Sequence, residues 1–172
     1  AAVLGVRGLW GGPWLMEVKG LARVPAGNIL LMCTFALIAG PAIAGILERR
    51  FQAHRRALLV GGHLGAALMV ALMVAGGSFG WPVMADAVLL VAFGLTISLQ
   101  VICFALVRAA VPPERVGRAL SAMNVSFFGG AAVLQAASGA AAAWGGIGAA
   151  LLVFAAALVV CSLAFLRLPG PR

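Results

Sequence analysis

The sequence predicts an all-α, polytopic membrane protein with six transmembrane helices. Three observations carry that expectation. Of the 172 residues, 64% are hydrophobic and only 9% are charged, where a soluble domain is about a quarter charged. Mean hydropathy is +1.14. Long apolar runs alternate with short breaks rich in charge, Pro or Gly. A chain of this size could not cover so much apolar surface in water, and disorder requires low hydrophobicity. At about 20 residues per spanning helix, six spans take roughly 120 residues and leave roughly 50 for loops and ends.

The first run, Ala1 to Met16, is short and opens with no charged segment. A secretory signal would carry a positive start and a small-residue exit. The run reads as a helix that begins upstream of residue 1, so the chain is expected to be a fragment. The second span, about 28–47, ends at the most charged stretch of the chain, Glu48-Arg49-Arg50-Phe51-Gln52-Ala53-His54-Arg55-Arg56. The third, about 57–75, leads into Gly76-Gly77-Ser78-Phe79-Gly80-Trp81-Pro82, a turn-like break. The fourth, about 83–107, is stopped by Arg108 and by Pro112-Pro113, which cannot continue a helix interior. The fifth and sixth, about 119–143 and 146–166, are separated only by Trp144-Gly145 within a nearly continuous Ala/Gly stretch. Arg167 and Pro169 end the last span. The expected organisation is one six-helix transmembrane domain over residues 1–172.

Charge sets the expected orientation. The breaks after the second and fourth spans and the C-terminal tail hold Arg49, Arg50, Arg55, Arg56, Arg108, Arg115, Arg118, Arg167 and Arg172. The other breaks hold only Lys19 and Arg23. By the positive-inside rule the arginine side is cytoplasmic. Both ends of the chain then lie in the cytoplasm, and a bacterial inner (plasma) membrane is the expected location. The net charge of +8 thus reports loops beside a lipid bilayer, not a nucleic-acid partner. Trp10, Trp14 and Trp81 fall near the opposite interface, where an aromatic belt would place them.

Cys33, Cys103 and Cys161 are isolated in apolar runs, with no spacing that would bind a metal or form a disulfide framework. No cofactor motif occurs. An intramembrane serine protease of rhomboid type needs a His after its Ser, and none follows His63. The metalloprotease pattern H-E-x-x-H is missing as well. The chain is not expected to be an enzyme.

Polar side chains are costly in lipid, so their faces are informative. At about 100° per residue, Ser121, Asn124, Gln135 and Ser138 share an arc of about 100° on the fifth span. Asp86, Thr96 and Gln100 share about 80° on the fourth, and Arg7, Trp10 and Trp14 about 60° on the first. The third and sixth spans look suited to lipid. Asn124 and Gln135 are either hydrogen-bonding glue between helices or part of a water-filled pathway. Arg7 is either a pathway residue or snorkels to the cytoplasmic interface. Asp86 follows Pro82 closely, so its carboxylate either serves the helix dipole or couples to protons. His63 reads as packing. Gly12-Pro13 and Gly40-Pro41 are positions where helices could break or kink. The basic loops give the two triplets of spans a coarse inverted symmetry, a pattern frequent in transporters.

Two loops carry a family resemblance. Gly45-Ile46-Leu47-Glu48-Arg49-Arg50, followed by Arg55-Arg56, is similar to the motif G-x-L-x-D-R-x-G-R-R, with Arg49 at the motif's Asp position. Pro112-Pro113-Glu114 and Gly117-Arg118-Ala119, running into Asn124 and Gly129-Gly130, resemble the turn between the tenth and eleventh helices of the same family. Gly8-Leu9-Trp10 and Gly12-Pro13-Trp14 look like its seventh helix. The chain as a whole resembles the C-terminal six-helix half of a major facilitator superfamily transporter.

The resemblance implies alternating access of a small-molecule solute to a midplane site, shared with an N-terminal six-helix half that is missing here. It implies cavity-facing first, fourth and fifth spans, with Arg7, Gln100, Asn124 and Gln135 on the pathway and Asp86 as a proton-coupling candidate. It also implies gating loops at the cytoplasmic end, with Gly45, Arg49, Arg50, Arg55, Arg56, Gly117 and Arg118. The alternative is a complete small six-helix protein acting as a homodimeric transporter or scaffold.

Overall fold

A computed structural model describes residues 1–168, so Pro169 and Arg172 lie outside the described residues. The described chain is helical throughout and contains no strand. Four of its helices are long and apolar enough to cross a membrane, the last of them running over Pro113–Leu166. The protein is a membrane-embedded helical bundle.

Helix α1 occupies residues 2–18 and is not a regular α-helix. Its backbone widens to π-helical turns over Leu4–Trp10 and Trp14–Val18, around a short α-turn at Gly11–Pro13. Pro13 has no N–H to give, and its ring crowds the preceding turn. A π-turn relieves such crowding by widening the helix locally. The 100° spacing used on the sequence therefore does not hold in α1.

Helix α2, Arg23–Arg50, starts five residues earlier than the apolar run implied. Pro25 sits in its first turn, where a missing N–H costs no bond. It continues through Pro41 without a break. A 3₁₀ turn at Gln52–His54 leads into α3, Arg55–Ser78. Helix α4 spans Val83–Ala110 and tightens to 3₁₀ geometry at Ser98–Val101.

The last helical stretch, Val116–Leu166, is two helices in space. Gly145 and Gly146 leave helical geometry, and Gly146 has φ +70° and ψ −170°, a conformation open essentially to glycine. A straight helix of 51 residues would be about 76 Å long. Instead Asn124 and Phe127 line the same cavity as Leu158 and Cys161. The chain folds back at the glycine pair into α5 (residues 116–144) and α6 (residues 147–166). The Ala/Gly junction that gave the weakest signal in the sequence is thus a hairpin turn.

The bundle is organised by close helix approaches at small residues. A Cβ on Gly62 of α3 would stand 2.7 Å from the Thr96 carbonyl of α4, and one on Gly94 of α4 would stand 3.0 Å from the Cys33 carbonyl of α2. Gly40 packs directly on the Ser98 side chain. Phe93, Leu90, Ile97, Val70 and Met73 fill the core between these helices. Contrary to the lipid-facing expectation, α3 is a central helix. It packs on α4 and α6 and buries Leu59, Val60, Ala66, Ala67, Val70 and Met73. Its glycines and alanines reduce side-chain bulk enough for neighbours to approach on several sides.

The packing pattern has an internal symmetry. Helix α2 packs on α4, and α3 packs on α4 and, where Val74 meets Gly148, on α6. Helix α1 meets α5 where Trp10 reaches Ser138, and meets α6 where Phe154 fills the space beside Gly5. Exchanging α1 with α4, α2 with α5 and α3 with α6 turns each of these contacts into another of the same set.

Candidate functional site

The polar residues collect in three places. The first is the acid-bearing end of the bundle. Asp86, in the first turn of α4, is 2% exposed. The Trp14 indole Nε1 donates to its Oδ1 at 2.8 Å, and Lys19 Nζ stands 3.0 Å from its Oδ2. Lys19 also donates to the Trp81 carbonyl at 2.9 Å. Burying a carboxylate is very costly unless it is paired and hydrogen-bonded, and here it is both. The sequence pointed to Asp86 but missed Lys19. The signal was available, because Lys19 and Arg23 are the only basic residues expected on the same side of the bilayer.

The second is a polar relay on the face that α1 shares with α2 and α5. Trp10 Nε1 donates to Ser138 Oγ at 2.9 Å, and Ser138 Oγ donates to the Gln135 carbonyl at 2.8 Å. Arg7 lies three residues before Trp10. Its Nε is buried and finds no hydrogen-bond partner. Gln135 enters this relay through its backbone carbonyl only. The structure also corrects the aromatic-belt expectation for two tryptophans. Trp14 is 3% exposed and Trp10 is half-buried, both with indole protons spent on inward partners. A buried indole N–H needs an acceptor, and Asp86 and Ser138 provide them. Trp81 and, most fully, Trp144 beside the hairpin turn are the exposed tryptophans.

The third is a cavity of about 600 Å³ toward the arginine end, with walls from α1, α3, α4, α5 and α6. Gln100 and Asn124 meet there, with His63, Ser126 and Ser162. The rest of the wall is apolar and rich in phenylalanine, including Phe104, Phe127 and Phe165. Ser162 Oγ is buried without a hydrogen-bond partner. Arg7 and Gln135 do not line this cavity, so the four pathway candidates do not share one site.

The arginine-rich end is built mainly from helix termini. Arg49 and Arg50 occupy the last turn of α2, where cations offset the helix dipole. Arg55 Nε lies 3.0 Å from Glu48 Oε1 across the α2–α3 turn. Arg56 donates through Nη2 to the Phe165 carbonyl at 3.0 Å and the Leu168 carbonyl at 2.6 Å, and its guanidinium lies over the Phe165 ring. It thereby satisfies carbonyls that the end of α6 leaves open. Gly45 faces open space, and Gly117 and Arg118 are exposed in the first turn of α5. No cluster of metal-ligating side chains occurs among the described residues.

The sequence matches no family model, and no curated protein or solved structure is similar to it.

Proposed function

We propose that the chain is one six-span half of a secondary transporter of major facilitator type, moving a small solute by alternating access. The observation that carries the proposal is the exchange symmetry of the helix contacts. Two three-helix units of opposite direction are the building plan of such transporters, with the solute site near the midplane between repeats. In this reading all six helices cross the bilayer of a bacterial inner membrane. The arginine end and both chain ends lie in the cytoplasm, in keeping with the positive-inside rule.

The pathway runs along α1, α4 and α5. Arg7 and Gln135 lie in its middle, and the cavity holding Gln100 and Asn124 lies toward the cytoplasmic end. The buried Asp86–Lys19 pair closes the opposite end and is the candidate for ion coupling. The partner is a second, N-terminal six-helix half that supplies the other wall of the pathway. Helices α2 and α5 hold broad apolar faces for lipid and that partner, with Phe35, Ile38, Phe128 and Val133 exposed on them.

Cysteines placed at Gln52 and Phe79, probed with a membrane-impermeant maleimide on intact cells, test this arrangement. Labelling at 79 from outside, and at 52 only after permeabilisation, is the expected result. The reverse pattern, or labelling of both from one side, overturns it. Solute flux in liposomes is expected only when the chain is joined to a six-helix partner half. Robust flux by the chain alone overturns the assignment as a half.

A further inference from the structure

We propose that the cavity toward the arginine end binds the solute, and that this solute is an uncharged aromatic molecule bearing a hydrogen-bonding group such as an amide. That the occupant is carried across the membrane rests on the transport reading; its chemical class follows from the walls. The cavity holds about 600 Å³, within the range of small-molecule sites, about 300–1,000 Å³. Such sites are mostly apolar, with a few polar groups that fix orientation. Here each polar group comes from a different helix: His63 from α3, Gln100 from α4, Asn124 from α5 and Ser162 from α6.

Charge is kept out of the walls. Among the described residues no Asp, Glu, Lys or Arg side chain lines the cavity, although many arginines stand at the same end of the bundle. Arg56 meets the wall at Phe165, 5.0 Å from the centre of its ring, but is not part of the lining. Its Nη2 is spent on the Phe165 and Leu168 carbonyls. An ionised solute would leave water for these walls and gain no counter-charge, which is costly.

A pure hydrocarbon, such as a lipid tail, is a poor match for a different reason. Ser162 is 3% exposed, and its Oγ is buried with no hydrogen-bond partner. Ser126, by contrast, donates to the Ala122 carbonyl of its own helix at 2.9 Å. A buried polar atom left unpaired costs more than a typical hydrogen bond contributes. The Ser162 hydroxyl and the carboxamides of Gln100 and Asn124 offer both donors and acceptors, so polar atoms on the occupant are favoured. The rest of the wall calls for an aromatic body. Phe104, Phe127 and Phe165 stand there, and aromatic rings pack well on one another in offset or edge-to-face geometry. Phe127 already holds the edge-to-face arrangement with Phe128, at 5.3 Å between centroids and 87° between planes.

The probe for the test is tritiated 4-benzoylbenzamide, a neutral two-ring amide whose ketone cross-links to nearby C–H bonds under near-ultraviolet light. It is added to the full chain purified in detergent, with empty micelles as the blank. Saturable binding above the blank is expected. Two competitors keep its pair of rings: 4-benzoylbenzoate carries a charge in place of the amide, and 4-ethyldiphenylmethane has no polar group. Each should compete about tenfold more weakly, or worse, than unlabelled 4-benzoylbenzamide, the order of effect of a desolvated charge or an unmade buried hydrogen bond. Irradiation followed by peptide mapping should place the adduct within residues 59–63, 97–104, 123–128 or 157–165. Gln100→Leu combined with Asn124→Leu should weaken binding about tenfold in protein that still elutes as one species. Absence of saturable binding, equal competition by the benzoate, adducts confined to other segments, or unchanged affinity in the double variant overturns the proposal. Equal competition by the hydrocarbon assigns the cavity to lipid tails and also overturns it. The competitor series and the adduct map use the parent chain, so they decide the matter even where the double variant does not fold. These are binding measurements, so their failure leaves the topology result intact, and the reverse holds as well.

Discussion

Trp14 donates its indole proton to Asp86 at 2.8 Å, tying the end of α1 to the first turn of α4 across 72 positions of sequence. Lys19 completes the knot from the α1–α2 turn, 3.0 Å from the other carboxylate oxygen, and all three side chains are nearly excluded from the surface. The end of α1, the turn that follows it and the first turn of α4 are held together by one charge. Desolvation makes that charge costly by itself and makes its partners obligatory.

Removing one partner should therefore destabilise more than removing both. Asp86→Asn leaves the Lys19 ammonium buried without a counter-charge, and about 3–5 kcal/mol of stability should be lost. Lys19→Met should cost a comparable amount by stranding the carboxylate. The double variant should recover a substantial part of the loss, giving a coupling energy of more than about 1 kcal/mol in a double-mutant cycle. Trp14→Phe removes one hydrogen bond to a charged acceptor and should cost about 1.5–3 kcal/mol. Thermal or denaturant unfolding of the detergent-solubilised protein measures all four. Additive single-variant losses would show that the pair is not coupled.

The glycines of α2, α3 and α4 make a second, purely steric prediction. Gly40 packs on Ser98, Gly62 on Thr96 and Leu99, and Gly94 on Ala36 and the Cys33 carbonyl. Gly45, on the same helix as Gly40, has open space beside it. Gly40→Val, Gly62→Val and Gly94→Val should each force helices apart and cost about 1–3 kcal/mol or more, the usual range for overpacking. Gly45→Ala should be neutral or slightly stabilising, since alanine is the better helix former. Folded yield and melting temperature after purification separate the two groups. Equal tolerance at Gly40 and Gly45 would mean that α2 does not approach α4 as closely as described.

Much of the helical layout was legible in the sequence because lipid imposes a simple rule: apolar runs near 20 residues, charge and proline at the breaks. The elements that begin or end off the apolar run show where that rule stops. Pro25 looks like a helix breaker, yet it belongs to α2 because a first-turn proline loses no hydrogen bond. The α5–α6 turn was nearly hidden, because Gly145 and Gly146 sit among many glycines and only backbone geometry tells a hinge from a packing glycine. The faces were less legible than the spans. A fixed 100° per residue cannot describe α1, whose π-turns aim Trp14 at Asp86 instead of at an interface. The partner of Asp86 comes from a loop, beyond the reach of any helical periodicity. Gln100 and Asn124 did converge on one cavity, although Gln100 lies in the 3₁₀ stretch at Ser98–Val101.

The three cysteines give a direct reading of that cavity. Cys33 is fully buried between helices, Cys103 is half-buried, and Cys161 is exposed, and the last two line the cavity walls. A thiol reacts as its thiolate, which forms only where water can reach it. If Gln100, Asn124, His63 and Ser162 keep the cavity wet, a small charged methanethiosulfonate reagent should modify Cys161 and Cys103 and spare Cys33. Intact-mass spectrometry would then show two additions per chain. Ser162→Phe should slow the reaction at Cys103 several-fold by filling the space, while Cys161, nearer the surface, should react almost as before. Reaction at Cys161 alone in the parent protein would mean that lipid, not water, occupies the cavity. The amides of Gln100 and Asn124 would then serve to join helices instead of meeting a solute, and the pathway would have to be sought along the Arg7 face.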